Sequence, residues 1–199
     1  MSNPIKENEV VLPRVSELVE KYYPEYHQWH NYPANKCVLI HKLNEEWGVL
    51  HNMARTPIVV EDVTFKSCEL LFQSLKFKDA SVIHDVYRKN CKKWARHWEK
   101  LGYRREDWGE IIVDVLKFCL QKKYEQSLQF RQELERTKSF IIVEDETGRK
   151  STTYGAKLHG DVYEGSNLQG RLLMELRENS KLDYSLPFDM LEYIKCLKK

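Results

Sequence analysis

A chain of 199 residues is long enough for one domain with a substantial core, or one domain plus an extension. Apolar residues at 42% and aromatics at 12% exclude a disordered chain, and a net charge of +2 excludes global basicity as a sign of nucleic-acid binding. The five cysteines (Cys37, Cys68, Cys91, Cys119 and Cys196) are odd in number, widely spread and without a C-x-x-C pair, so free thiols in a reducing compartment fit better than a disulfide frame or a zinc site. No apolar run reaches transmembrane length, and Met1-Ser2-Asn3-Pro4 does not resemble a secretory signal. The expectation is a soluble, cytoplasmic protein with no membrane partner.

In chain order, residues 1–12 are polar and expected to be loose. Pro13 to Tyr22 reads as a short amphipathic helix with proline near its start. Tyr22, Tyr23, Pro24, Tyr26, Trp29, Tyr32 and Pro33 follow as an aromatic, proline-punctuated loop. It is expected to tether an N-terminal extension, residues 1–35, to the core. His27 and His30 lack carboxylate or thiol company, so no metal is expected. Cys37-Val38-Leu39-Ile40-His41 reads as a strand. Pro57 to Val60 and Val63 to Phe65 suggest a second strand leading into a helix. Between these, residues 47–53 have no clear period and read as a loop, where binding groups are commonly displayed.

The stretch Thr64 to Phe77 places Cys68, Leu71, Phe72, Leu75 and Phe77 at helical spacing, one buried face. Glu69 and Lys76 sit seven residues apart, nearly two turns, so they project from about the same side, with Cα atoms roughly 10 Å apart along the axis. Lys76 leans back toward Glu69, and a sugar-sized group fits between the two tips. On spacing alone, two unrelated surface charges are the commoner explanation.

From Ala80 to Leu101 the positions Ile83, Tyr87, Cys91, Trp94, Trp98 and Leu101 predict one long amphipathic helix ended by Gly102. Residues 88–105 carry eight basic side chains against Glu99 alone. That cluster could hold phosphates, with weak, non-specific nucleic-acid contact, or it could be a solvated helix face. Asp107 is placed to cap a helix from Trp108 to Tyr124 with Ile111, Ile112, Val115, Leu116, Cys119 and Leu120 inward. Ser127 can cap another, with Leu128 and Leu134 inward. Ser139 to Glu144 is the clearest strand. After a turn at 145–148, Ser151 to Tyr154 could return as its partner, and Gly155, Gly160 and Gly165 punctuate a loop. Asn167 is placed to cap a helix burying Leu168, Leu172, Leu173 and Leu176, and Pro187 opens a short helix to Leu197. The fold class expected is mainly α with a small β element (α+β). It is a single domain over 36–180, with a C-terminal helical extension over 181–199 packed on it.

Four segments, in order, resemble the NADAR (YbiA-like) family of N-glycosidases. They are the loop around Gly48 and Asn52 followed by Pro57-Ile58, and Ser67-x-Glu69-x-x-Phe72-Gln73-x-x-Lys76-Phe77. The third is Arg105-x-Asp107-Trp108 with the helix ending Lys123-Tyr124, and the fourth is Gly165-x-Asn167-x-x-Gly170-Arg171-Leu172-Leu173-Met174-Glu175-Leu176-Arg177. The resemblance spans roughly residues 48–177 and implies a NADAR/YbiA-like fold. The chain departs from the family pattern before the last helix. Where the family has an acidic residue followed by Trp-Gly-Asp, this chain has Ser151, Tyr154, Gly155 and Ala156; Glu144 matches the strand end. Asp145, Glu146 or Asp161 are the candidates to replace the missing acids.

The resemblance implies hydrolysis of the C1′–N bond of a ribosylated amine, either ADP-ribosyl-guanine or a phosphoribosylamino intermediate of riboflavin synthesis. Glu69 would transfer the proton and Lys76 would form a Schiff base, while Asn52, Trp108, Tyr154, Gly155, Asn167 and Gly170 would hold the ligand. The amides at the Asn167 helix N-terminus would supply an anion site. No cofactor is implied, and the partner is a small-molecule or nucleic-acid-linked ribosyl substrate. The acidic losses point to an alternative, a catalytically weakened ADP-ribose- or nucleotide-binding module.

Overall fold

A computed structural model describes residues 10–150 and 153–198. It is one α+β domain, mainly helical, in which α6 (Trp108–Gln126) forms the central helix. This helix buries Trp108, Ile112, Val113, Leu116, Phe118, Cys119 and Leu120, residues that do not share one face. A helix apolar on most sides must be covered on most sides, and its neighbours supply the cover. They are α1 (Val15–Tyr22), α3 (Cys68–Ser74), α7 (Leu128–Arg136), α8 (Leu168–Asn179) and the hairpin strand β3 (Ile58–Val60); the one-turn α2 (Pro24–His27) packs on α1.

The sheets are small. β2 (Cys37–Ile40) pairs in parallel with β5 (Ile141–Glu144), and five helices lie between them in the chain. β3 and β4 (Val63–Phe65) form a hairpin rather than the single strand expected, with Glu61 and Asp62 both in left-handed conformation at the turn. β1 (His30–Pro33), β7 (Val162–Gly165) and β6 (Lys157–His159) make a three-stranded antiparallel sheet. Residues 30–33, expected as loop, pair residue for residue with 162–165. The loop expected over 155–165 is in fact the β6–β7 hairpin, turned at Gly160. Ser151 and Thr152, in the expected return strand, lie outside the described residues. β5 takes β2 as its partner instead.

Several helix boundaries differ from those predicted. The Glu69 helix is α3, about one turn shorter at its start because Thr64 and Phe65 belong to β4; the Ser67 hydroxyl caps it by accepting from the Leu70 amide at 3.2 Å. Its last residue is Ser74, so Lys76 sits in the turn beyond it. The long helix expected over 80–101 is two helices, α4 (Ala80–Arg88) and α5 (Cys91–Lys100), with Asn90 capping the second through Lys93 N–H. Asp107 does not cap α6, because its carboxylate is taken by the buried Arg105 guanidinium at 2.6 and 2.8 Å. Ser127 does cap α7, but Leu128 points outward at 59% exposure and Phe130 is buried in its place. The C-terminal segment forms a 3-10 helix over Glu192–Lys198, burying Met190 and Ile194.

The joint between β5 and α8 sets the floor of the molecule. Asn167, left-handed at φ 49, leads into α8 (Leu168–Asn179). Its amide donates to Ile142 O at 2.8 Å and accepts from Glu144 N–H at 3.1 Å, so it acts as a strand partner to β5 rather than as a cap. At Gly170, α8 comes so close to the Ile142 carbonyl that no side chain fits between them.

Candidate active site

Between α3, α5, the turn after β5 and the segment preceding α1 lies a cavity of ≈ 700 Å³. That size suits a nucleotide-scale ligand. Helix α3 supplies Glu69, Phe72 and Gln73, and the turn after it supplies Lys76. One face of α5 supplies Lys92, Arg96, Glu99 and Lys100 at helical spacing, with Arg104 beyond. The β5 end and its turn supply Glu144, Glu146 and Arg149, facing Tyr154, His51 and Asn52.

Glu69 is 8% exposed, its Oε1 accepting from Gln73 Nε2 at 2.8 Å and lying 3.4 Å from Lys92 Nζ. Lys76 is 9% exposed. Its amine reaches both oxygens of Glu99 at 3.2 Å and lies 5.7 Å from the Trp108 ring and 5.9 Å from the Phe72 ring. Burial pulls the Lys76 amine below the usual lysine range; Glu99 and, less, Glu69 oppose this, and Arg104 adds to it. Burial outweighs the two carboxylates, and Glu99 is the main counter-charge.

A second carboxylate pair stands on the β5 wall. Burial pushes the Glu144 carboxyl up to about 7, with Glu146 reinforcing the rise and Arg149 opposing it. Burial also raises Glu146, whose Oε2 accepts from the Gly155 amide at 3.0 Å. Of the acids considered as replacements, Glu146 lies on the cavity; Asp145 and Asp161 are not among its lining residues. Ala156 is fully buried, bridged to Asp145, and Ser151 lies outside the described residues.

His51 is neutral, pushed down to about 4 by burial and by Lys92, Lys123 and Arg149. Its Nδ1 lies 3.0 Å from the Met53 amide and accepts from it, which leaves the proton on Nε2. Asn52 presents its carbonyl to the Glu69 amide at 2.8 Å, and its side chain pairs both ways with Gln169 at 2.9 and 3.0 Å. The loop carrying both residues is held from beneath by Lys123, whose amine donates to Val49 O at 2.8 Å and His51 O at 3.0 Å.

Of the residues singled out in the sequence, Glu69, Lys76, Asn52 and Tyr154 share this cavity. Trp108, Gly155, Asn167 and Gly170 do not line it: Trp108 backs Lys76, Gly155 holds Glu146, and Asn167 and Gly170 join α8 to β5. At the α8 N-terminus the Leu168 and Gln169 amides donate to Thr153 O and Tyr154 O, so those two groups are not open to an anion. The basic run 88–105 divides. Lys92, Arg96, Lys100 and Arg104 line the cavity, Lys89 pairs with Asp85 at 2.7 Å, and Arg105 is buried against Asp107 and Asp189. Sequence reasoning passed over His51, Glu99 and Arg149. Only Glu99 carried a local signal, as the single acid in a basic stretch.

Comparison with known proteins gives the family and the fold. A family model described as the NADAR domain matches residues 21–181. The N-glycosidase YbiA of Escherichia coli is 28% identical over 142 residues, 70% of this chain and 86% of that protein. A riboflavin biosynthesis protein of Vibrio vulnificus is 26% identical over 163 residues, 81% of this chain but 42% of that protein's length. The NMR structure of E. coli YbiA superposes with a TM-score of 0.61 at 28% identity, covering 73% of this chain and 84% of that one. Among the described residues no helix is long and apolar enough to cross a membrane.

Proposed function

This chain belongs to the NADAR domain family, and we propose that its cleft hydrolyses the C1′–N bond of a ribosylated amine, such as ADP-ribosyl-guanine or a phosphoribosylamino pyrimidine. The observation that carries this reading is the Lys76 amine, buried on the cavity wall, lowered by desolvation and faced by two carboxylates. A neutral amine can attack C1′, and an adjacent acid can protonate the departing nitrogen. Glu69 gives its proton to that nitrogen as the C1′–N bond breaks, and the Lys76 nitrogen bonds to C1′. The lysine nitrogen then loses one proton to a carboxylate, its lone pair breaks the bond from C1′ to the ring oxygen, and that proton passes to the ring oxygen, leaving the open sugar as a protonated Schiff base. Water adds to C1′ with Glu69 taking its proton and handing it to the lysine nitrogen; as the C1′–lysine bond breaks, the C1′ hydroxyl returns a proton to Glu69 and the sugar leaves as the aldehyde. Glu144, titrating near neutrality beside Glu69, holds a proton within the cavity. Arg96, Lys100, Arg104 and Arg149 supply positive charge suited to the substrate's phosphates. The names of the relatives, an N-glycosidase and a riboflavin biosynthesis protein, support a ribosylamine substrate.

Borohydride added during turnover should reduce the Schiff base and leave a sugar-sized mass on the Lys76 peptide. Lys76→Arg should leave no adduct, since a guanidinium stays protonated. Turnover with no trapped adduct on Lys76 would sink the covalent route. The Glu99 ion pair favours a second reading, a cleft that binds ADP-ribose or a nucleotide without cleaving it, because a paired lysine resists deprotonation. That reading expects saturable binding with no product in the same incubation.

A further inference from the structure

Resting on the glycosidase reading of the cleft, we propose that residues Val10–Arg14 form the wall against which the flat, uncharged leaving base of the substrate packs. The cavity is unevenly lined. Its α3, α5 and β5 walls present mostly charged groups, suited to sugar hydroxyls and phosphates, and the apolar share on that side comes from Phe72 of α3, Leu116 of α6 and the Tyr154 ring. The segment before α1 instead contributes Val10, Leu12 and Pro13, continued by Val15 at the start of α1, with only Arg14 polar. The flat faces of an uncharged heteroaromatic base gain from apolar contact, which charged side chains do not supply.

This wall is held in place yet is not packed into the core. At one end Val10 N–H donates to Lys100 O at 2.9 Å, and its side chain lies over Gly102. At the other, Arg14 precedes α1 and donates its backbone N–H and side-chain Nε–H to the Glu17 carboxylate at 2.9 and 2.7 Å, and α1 is anchored by buried Leu18 and Val19. Between these anchors the segment stands clear on both sides. Leu12 and Pro13 also line a second cavity, of ≈ 490 Å³, with Arg104 shared between the two. A strap serving only to cover the core would lie on it, whereas Leu12 has hollow on either face. Residues 10–14 also precede residue 21, where the family match begins.

Titration calorimetry with guanosine 5′-monophosphate and with ribose 5-phosphate tests this, because the two ligands differ by the base. The wild-type protein should bind the nucleotide at least about ten-fold more tightly. The double variant Val10→Ser/Leu12→Ser should lose most of that preference while ribose 5-phosphate affinity stays within about two-fold. Leu12→Phe, which enlarges the apolar face, should increase the preference. A preference unchanged in both variants, or absent in the wild type although both ligands bind, would overturn the wall alone. If the wild type binds neither ligand, the reading of the cleft falls first and the wall with it.

Discussion

Lys76 and Lys123 are both buried, and burial pulls both amines below the usual lysine range, Lys123 to about 8. Their partners differ. Lys123 donates to two backbone carbonyls of the 49–51 loop and lies 4.4 Å from the Phe130 ring, with no carboxylate among the causes of its shift. Lys76 has a carboxylate and two aromatic rings around it and a cavity in front. An amine enclosed by carbonyls is a fixed strut, because moving it would leave buried acceptors unpaired. An amine paired with one carboxylate at a cavity wall can lose its proton and meet a ligand. The same burial therefore produces a structural lysine in one place and a candidate nucleophile in the other.

Exchanging each lysine for an isosteric apolar residue separates the two roles. Lys76→Met should reduce glycosidase turnover by about 10³-fold or more, the scale on which losing a covalent nucleophile is felt. Its melting temperature should stay close to that of the wild type. Lys123→Met should do the reverse. It leaves Val49 O and His51 O without a donor, costing about 3 kcal/mol, or a fall of roughly 6–12 °C in Tm. Its residual activity should track the loosened His51–Asn52 loop. Equal effects of the two variants on Tm would erase the distinction.

How far the sequence revealed this arrangement follows from how local each signal is. The apolar run at 141–143 and the Leu168–Leu176 period are short-range patterns, and the corresponding elements are present. The break at Lys89-Asn90 was hidden because Tyr87, Cys91 and Trp94 keep the helical period across it, so only the capping asparagine betrayed it. The β6–β7 hairpin has one largely exposed strand and offered no alternation to read. In the cleft, Glu69 and Lys76 share one stretch of sequence, but Glu99 reaches Lys76 from 23 residues away and Glu144 and Arg149 arrive from the far strand. Chain crossings of that length leave no periodic trace. Asn167 shows the converse, a motif residue placed correctly before its helix whose amide is engaged by β5.

Glu144 offers a smaller contrast, between a carboxyl shifted upward and two amines shifted downward. Its folded value, about 7, lies above the ordinary 4.5, so the native state holds more protons than the unfolded chain between those two values. Stability from this group is therefore present below pH 4.5 and lost as pH rises toward 7, by roughly 2 kcal/mol over the window. Glu144→Gln should remove that slope, so its Tm should gain on the wild type by several degrees between pH 5 and 7.5. For Lys123 the sign is opposite. Its native amine sheds its proton earlier than the unfolded one, and its contribution grows from about pH 8 toward 10. If the Glu144→Gln difference stayed flat across pH, Arg149 would be holding Glu144 ionised.

The smallest expected effect tests Lys76 most directly. Four charged or aromatic surroundings compete over its proton: burial, with the Phe72 and Trp108 rings close by, lowers it; Glu99 and then Glu69 raise it; Arg104, 3.8 Å from Glu99, lowers it further. If turnover requires the neutral amine, the rate falls at low pH along a limb set by Lys76. Glu99→Gln removes the largest upward influence and keeps the shape of the side chain. The limb should then move to lower pH by about one unit, within the range an opposite charge at this distance commands. Glu69→Gln should shift it less through charge alone, while also slowing the rate at every pH as a proton donor is lost. A limb that moves upward in Glu99→Gln would mean Glu99 acts by holding Lys76 in position. A limb that does not move would assign the titration to Glu144, whose value near 7 places it in the same range, and the Glu144→Gln profile would then lack the limb.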